Sequence, residues 1–363
     1  MIITIIIGLF SVFIAYLAKY HNFKYGLEVA FLVLTFFMSI RYEWGSDYPS
    51  YLSIFYRINE NNIVIWGNNS ILDGSELGWT LLNFLFYPFG FFGLVIFLTC
   101  LENFLIYSTI RRYVVRKWYW LAVFIYVFTS AFMLTGCSMM RQFLVMALFL
   151  YSIRYLFEKK ILRFIGMIFL CMTVHATAII IIPFLLLSFV LSKSSGIKFC
   201  LLFCGTVLFV FLFFKMFVVK YADYLLLFGG AKYEKYLGNE SEGINSGLGL
   251  LFNFLMIVIL SYKVRDLNKY YRNIMCLYSV YILFYPLYTI IPLTARLGYY
   301  FSFLSIVVFP CLLNKVKFDI VLLVFIILFM FYTVVSFLGF FASPIWHDSM
   351  YEYKTIFSAP YWM

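Results

Sequence analysis

The stretch Arg41-Tyr42-Glu43-Trp44-Gly45-Ser46-Asp47-Tyr48-Pro49-Ser50-Tyr51 sets an arginine, two carboxylates and four aromatic rings directly after an apolar run. Charge near hydrocarbon is costly, so such a cluster either meets water at a membrane face or is kept for chemistry. Three further polar points interrupt apolar sequence: Arg141-Gln142 in Ser138-Met139-Met140-Arg141-Gln142, His175 in Thr173-Val174-His175-Ala176, and Arg296 in Thr294-Ala295-Arg296-Leu297-Gly298-Tyr299-Tyr300. Guanidinium groups pair phosphate oxygens two at a time and stay charged. Two or three of them can hold a pyrophosphate and stabilise it as a leaving group without a metal. Either Asp47 or His175 can take the proton of an attacking hydroxyl.

Each of these residues also has an ordinary reading. Helix-end arginines anchor spans to headgroups, a lone histidine is often satisfied in a core, and Asp47 suits a helix N-terminus. No Asp-x-Asp spacing occurs, which argues against a metal-bound nucleotide-sugar site, and no metal or other cofactor is expected. Glu43 and Glu76 carry no separate signal at this level. Glu102-Asn103, a costly pair within an apolar run, is expected to face the interior of a helix bundle.

The elements that must position these groups are membrane helices. Of the 363 residues 65% are hydrophobic and 12% charged, too few charges for a water-exposed surface. Apolar runs long enough to cross a bilayer recur from end to end, predicting an all-α polytopic membrane protein in a single integral membrane domain, 1–363. Aromatic residues make up 23% of the chain and are read first as lipid-facing Phe with Tyr and Trp at the interfaces. The net charge of +11 reflects basic loops rather than a nucleic-acid surface. The seven cysteines show no Cys-x-x-Cys spacing and read as small buried hydrophobes. Residues 1–18 lack a basic leader and a cleavage site, so they read as a retained first span.

Loop charge sets the orientation. Basic clusters at Lys19/Lys24, Arg111–Lys117, Arg154–Arg163, Lys193/Lys198, Lys263–Arg272 and Lys315/Lys317 hold most of the 27 Lys and Arg, and are placed in the cytoplasm. Twelve spans satisfy this pattern, near 2–18, 26–40, 91–110, 119–135, 140–157, 162–174, 176–192, 199–219, 248–262, 273–293, 297–313 and 319–341. Both termini then lie outside, with two larger extracytoplasmic loops at 41–78 and 220–247, the second expected to be mobile. Segment 78–90 is too short to span and is expected to be a re-entrant or interfacial helix. Residues 162–192 must supply two short helices that break at His175, or one long span. Arg41/Asp47, Arg141-Gln142, His175, Arg296 and His347 all fall at the outer face in this arrangement.

With these pieces in order, the chain resembles the EpsG-like branch of the Wzy-type O-antigen, capsule and exopolysaccharide repeat-unit polymerases. The matching pieces are Arg41-Tyr42-x-x-Gly45-x-Asp47-Tyr48-x-x-Tyr51, Glu76-x-Gly78-Trp79-x-x-Leu82-Asn83 and Met140-Arg141-Gln142-Phe143. They continue with His175-x-Thr177-Ala178, Ala295-Arg296-Leu297-Gly298-Tyr299-Tyr300-Phe301 and Tyr353-Lys354-Thr355-Ile356. The family usually has serine where this chain has Thr177, which keeps a hydroxyl. The resemblance implies a GT-C-type glycosyltransferase of the bacterial cytoplasmic membrane with an extracytoplasmic active face. It would transfer a growing glycan from undecaprenyl pyrophosphate to the non-reducing end of a new lipid-linked repeat unit. Arg141 and Arg296 would bind the donor pyrophosphate with Arg41 assisting, and Asp47 or His175 would be the catalytic base or would position the acceptor. Trp44, Tyr48, Tyr51, Trp79, Gln142, Tyr299 and Tyr300 would contact sugar or carrier lipid. Implied partners are lipid-linked oligosaccharides, membrane lipid, a flippase and a chain-length regulator.

Three other readings bear on the pattern. A lipid-linked oligosaccharide flippase would want paired halves and a midplane site, and neither is visible. An O-antigen ligase differs from the polymerase only in its acceptor. A membrane acyltransferase would need its histidine on the cytoplasmic side.

Overall fold

The computed structural model describes residues 1–60, 76–193 and 247–358, except 266, 268, 283, 285–293 and 318, together with the single residues 205, 209 and 213. Among these residues the chain is helical and contains no strand, apart from an isolated antiparallel bridge between Arg41 and Thr355. All but the last residue of the expected loop 220–247 and nearly all of the expected span 199–219 lie outside the described residues, as do 61–75 of the expected first loop.

The first of two compact units comprises Met1–Ile179, Phe309–Asn314 and Ile320–Met363. It begins with a hairpin of α1 (Ile2–Leu17) and α2 (Gly26–Ser39). The buried residues of α1 are Thr4, Gly8, Ser11 and Ala15, spaced four, three and four apart, while Ile2, Ile6, Leu9, Phe10 and Phe13 are exposed. Small residues inside and large apolar ones outside invert the pattern of a water-soluble helix. Close backbone approach, rather than apolar burial, joins helices in lipid.

The long helix α5 (Gly90–Tyr113) packs on α2 and on α8 (Met140–Phe157), and α8 packs on α9 (Ile161–Val174). The Glu102-Asn103 pair on α5 is buried as expected, and the Tyr126 hydroxyl donates to Asn103 Oδ1 at 2.7 Å. Lying before α5, the short α4 (Leu77–Phe86) is separated from it by a 3-10 turn and by Gly90 at φ +69°, and it packs on α9. Ten residues rise about 15 Å, half a bilayer core, so α4 is a helix apart, in keeping with the short element expected at 78–90.

The break expected at His175 is present. Helix α9 ends at Val174, His175 is extended (φ −152°, ψ 109°), and a 3-10 turn Ala176–Ile180 leads into α10 (Ile181–Ser192). One expectation is corrected: 119–135 is not a single span. Helix α6 (Tyr119–Phe128) stops where Thr129 turns to ψ 110°, and a separate α7 (Met133–Ser138) follows before Met139 (ψ 63°) redirects the chain into α8. Residues 48–60 of the expected first loop form an amphipathic helix, α3 (Tyr48–Glu60), against α4.

The second unit comprises Ile180–Val308 and Lys315–Asp319. It holds α10, α11 (Gly247–Val264), α12 (Lys269–Ser279) and α13 (Thr294–Ser302), with α12 packed against each of the other three. Helix α14 (Ser305–Lys315) follows α13 closely, and Phe303–Leu304 interrupts the helix expected at 297–313. In the first unit the chain ends with α15 (Ile320–Ala342), α16 (Pro344–Met350) and a C-terminal segment.

Four helical stretches among the described residues are long and apolar enough to cross a membrane: Leu77–Tyr113, Met140–Phe157, Thr294–Lys315 and Ile320–Ala342. Shorter apolar helices, Ile2–Leu17 and Ile161–Val174 among them, accompany these. The described residues are those of a helical membrane protein.

Candidate active site

Two close backbone approaches assemble the site. Gly78, in the first turn of α4, lies against the end of α9: a Cβ placed on it would meet Thr173 Oγ1 at 2.5 Å and Thr173 O at 2.8 Å. Glu76, the residue that caps α4, is thereby set beside the turn at His175. The second approach is at Gly45, whose φ of +135° and lack of a side chain let the loop before α3 lie on the α7–α8 junction. A Cβ there would come within 2.9 Å of Ser138 Cα. Ser138 Oγ then lies 3.0 Å from Ser46 Oγ and accepts from the Asp47 N–H at 3.0 Å, three residues before Arg141.

At the centre is a carboxylate shared by two residues far apart in sequence. Glu76 Oε2 accepts from Arg141 Nη1 at 2.7 Å, and Oε1 lies 3.2 Å from His175 Nδ1 while accepting from the Ala176 N–H at 3.1 Å. The side chains are about one-fifth exposed (Arg141 22%, Glu76 20%, His175 21%), so a ligand can reach all three. Burial alone would raise the Glu76 pKa. The hydrogen bonds from His175 and Ala176 and the charge of Arg141 outweigh it and hold the group at about 2. With its proton on Nδ1, the His175 ring donates to Glu76 and keeps the Nε2 lone pair for accepting a proton.

Tyr51 and Trp79 back this cluster. The Arg141 guanidinium sits 5.8 Å from the centre of the Tyr51 ring, and Tyr51 meets Trp79 edge-on at 5.4 Å. Asp47, one turn before Tyr51, is near enough for its charge to act on the Tyr51 hydroxyl. The structure therefore brings together Asp47, Tyr51, Trp79, Arg141 and His175. Gln142 is buried beside Arg141 on α8.

The other expected residues are placed differently. Arg41 is 1% exposed and turns into the bundle, where its Nη1 donates to Met38 O and, at 2.8 Å, to Thr99 Oγ1 of α5. That position makes it an anchor for the loop carrying Asp47 and does not bring it to Glu76. Trp44 is fully buried between Phe37 and Tyr353, and its indole N–H donates to Met350 O at 2.9 Å. Tyr48 is likewise buried, edge-on to Phe91, so neither ring presents a face to a sugar. His347 on α16 is exposed, 3.4 Å from Asp348, and stacks on Tyr351. Arg296 and Tyr299 are half-buried on α13 of the second unit, and Tyr300 is fully buried there.

Glu76 is the residue that sequence reasoning missed. Its signal was its place in Glu76-x-Gly78-Trp79, where the glycine and tryptophan drew attention and the acid did not.

Comparison with known proteins bears on the whole of this arrangement. The family model described as the EpsG family matches residues 24–355, a stretch that includes every residue discussed above from Arg41 to Tyr300. No curated protein and no solved structure matches the chain. Given that coverage of nearly its full length, the chain belongs to the EpsG family, a branch of the Wzy-type polymerases.

Proposed function

We propose that this protein is a membrane-embedded polysaccharide repeat-unit polymerase, a GT-C-type glycosyltransferase with twelve spans acting at the extracytoplasmic face of the bacterial cytoplasmic membrane. Its donor is a growing glycan on undecaprenyl pyrophosphate, and its acceptor is the non-reducing end of a new lipid-linked repeat unit. The observation that carries this reading is that Arg141 and His175 hold opposite oxygens of the same carboxylate, Glu76, at 2.7 and 3.2 Å. A phosphate-binding cation and a proton acceptor thus stand a few ångströms apart in a chain of the EpsG family.

In this mechanism the acceptor hydroxyl attacks the anomeric carbon of the donor, forming the new glycosidic C–O bond. The bond from that carbon to the pyrophosphate oxygen breaks, and its electron pair leaves with the pyrophosphate. Arg141 and Arg296 stabilise the departing charge. The hydroxyl proton passes to His175 Nε2, with Asp47 positioning the acceptor; exchanging the roles of Asp47 and His175 is the variant of the same scheme. Tyr51 packs beside the Arg141 guanidinium, and the buried Trp79 backs Tyr51. A flippase and a chain-length regulator are the partners such an enzyme requires.

The test is the distribution of glycan lengths in cells carrying Arg141→Ala, Arg296→Ala or His175→Ala. The expected result is membrane-located protein, loss of long chains and accumulation of single repeat units on lipid. Normal chain ladders from the two arginine variants overturn the proposal.

A further inference from the structure

Glu76 has three donors and no other evident work. It caps α4 by position, yet its side chain makes no capping bond and reaches sideways to Arg141, His175 and the Ala176 N–H. A glycine two residues later holds it there. The carboxylate therefore takes Nη1 of Arg141, one of the donors that a phosphate oxygen would use.

We infer that Glu76 is an exchangeable counter-ion. It keeps Arg141 folded against His175 in the substrate-free protein, and the donor pyrophosphate displaces it from Arg141. This inference rests on the reading of Arg141 as a pyrophosphate ligand. Binding exchanges one anion for another at the guanidinium, so the site never exposes an unpaired cation beside the membrane. Once released from Arg141, the Glu76 carboxylate keeps its contacts to His175 and to the Ala176 N–H. It then holds the imidazole with Nδ1–H inward and Nε2 toward the acceptor, ready to take its proton. Glu76 is thus a positioning residue in two senses. It competes with substrate in the resting state and orients the base in the reacting one.

Such a residue leaves a signature that a purely structural carboxylate does not. Glu76→Gln keeps the shape and an oxygen for the Ala176 N–H, but it removes the anion that competes at Arg141. The variant is expected to bind inorganic pyrophosphate about tenfold more tightly than wild type, the equivalent of losing one charge-assisted hydrogen bond that has to be broken first. In chain synthesis with lipid-linked repeat units, both KM for the donor and kcat are expected to fall. A carboxylate needed only for folding would leave KM unchanged or raise it.

The experiment is a titration of the purified full-length protein with inorganic pyrophosphate, comparing wild type, Glu76→Gln, Glu76→Asp and Arg141→Ala. Tighter binding by Glu76→Gln with loss of binding by Arg141→Ala supports the inference. If Arg141→Ala loses binding while Glu76→Gln binds like wild type or more weakly, the inference fails and the assignment of Arg141 stands. If Arg141→Ala binds like wild type, that assignment fails and the inference with it. Glu76→Asp covers the case in which Glu76→Gln does not fold. Its carboxylate is one methylene short of Arg141, and binding between that of wild type and the tenfold gain is expected; wild-type affinity in a folded Glu76→Asp overturns the exchange.

Discussion

Gly78 and Thr173 touch backbone to backbone: no side-chain atom larger than hydrogen fits on Gly78 without coming within 2.5 Å of Thr173 Oγ1. This contact sets the distance between the start of α4 and the end of α9, and with it the reach from Glu76 to His175 and Ala176. Gly78→Val should push α4 outward at a cost of about 1–3 kcal/mol. The expected outcome is a lower melting temperature in detergent together with loss of long glycan chains. A variant that melts like wild type and makes full-length chains shows that the contact does not set the site.

Arg141 offers a test of geometry against charge. Its guanidinium pairs with Glu76 at 2.7 Å on one side and lies over the Tyr51 ring at 5.8 Å on the other, an arrangement that uses its planar shape. Arg141→Lys keeps the charge but loses the fork and the fit to the ring. Chain synthesis is expected to fall by roughly tenfold or more, a loss of at least one charge-assisted bond. Wild-type ladders from Arg141→Lys would show that positive charge alone suffices.

The Glu76 carboxylate also makes stability depend on pH. Its folded pKa of about 2 lies below the ordinary value of 4.5, so the folded state favours the ionised form. The stabilisation is fully present above the ordinary value and is lost as pH falls through the folded one. Comparing the melting temperatures of wild type and Glu76→Gln in detergent isolates this contribution. The difference should be constant at neutral pH and should narrow between about pH 4.5 and pH 2. A difference that does not change with pH assigns the stabilisation to packing.

Much of this architecture was legible in the sequence, for stated physical reasons. Apolar runs mark helices in a membrane protein, and the extended residue at His175 was legible because the run 162–192 is too short for two ordinary spans. The break at Thr129 between α6 and α7 was not, since neither Thr129 nor Ser130 is a helix breaker and the apolar run continues past them. Arg141, His175, Asp47 and Tyr51 stood out because charge and aromatic rings are conspicuous beside apolar sequence. Glu76 was overlooked because a carboxylate at a helix start has an ordinary explanation, and only the spatial neighbours His175 and Arg141 give it another. Burial was the quantity the sequence could not supply. Arg41 and Trp44 look like surface groups in a polar loop, yet residues that help enclose them, Thr99, Met350 and Tyr353, are 58 or more positions away.

Trp44 separates packing from recognition. It is fully buried, meets Phe37 at 5.5 Å and Tyr353 at 5.1 Å, and donates to Met350 O, so it joins the loop before α3 to the segment after α16. Trp44→Phe keeps an aromatic ring but leaves the Met350 carbonyl without its donor and opens a gap where the larger ring was. A destabilisation of about 1–3 kcal/mol follows from the unpaired buried acceptor. A ring that stacked on sugar would instead raise KM for the acceptor with little change in melting temperature. The expected result is a lower melting temperature with an unchanged acceptor KM in the fraction that remains folded. The reverse pattern, a raised KM at wild-type stability, would return Trp44 to the substrate path and require the loop to open during turnover.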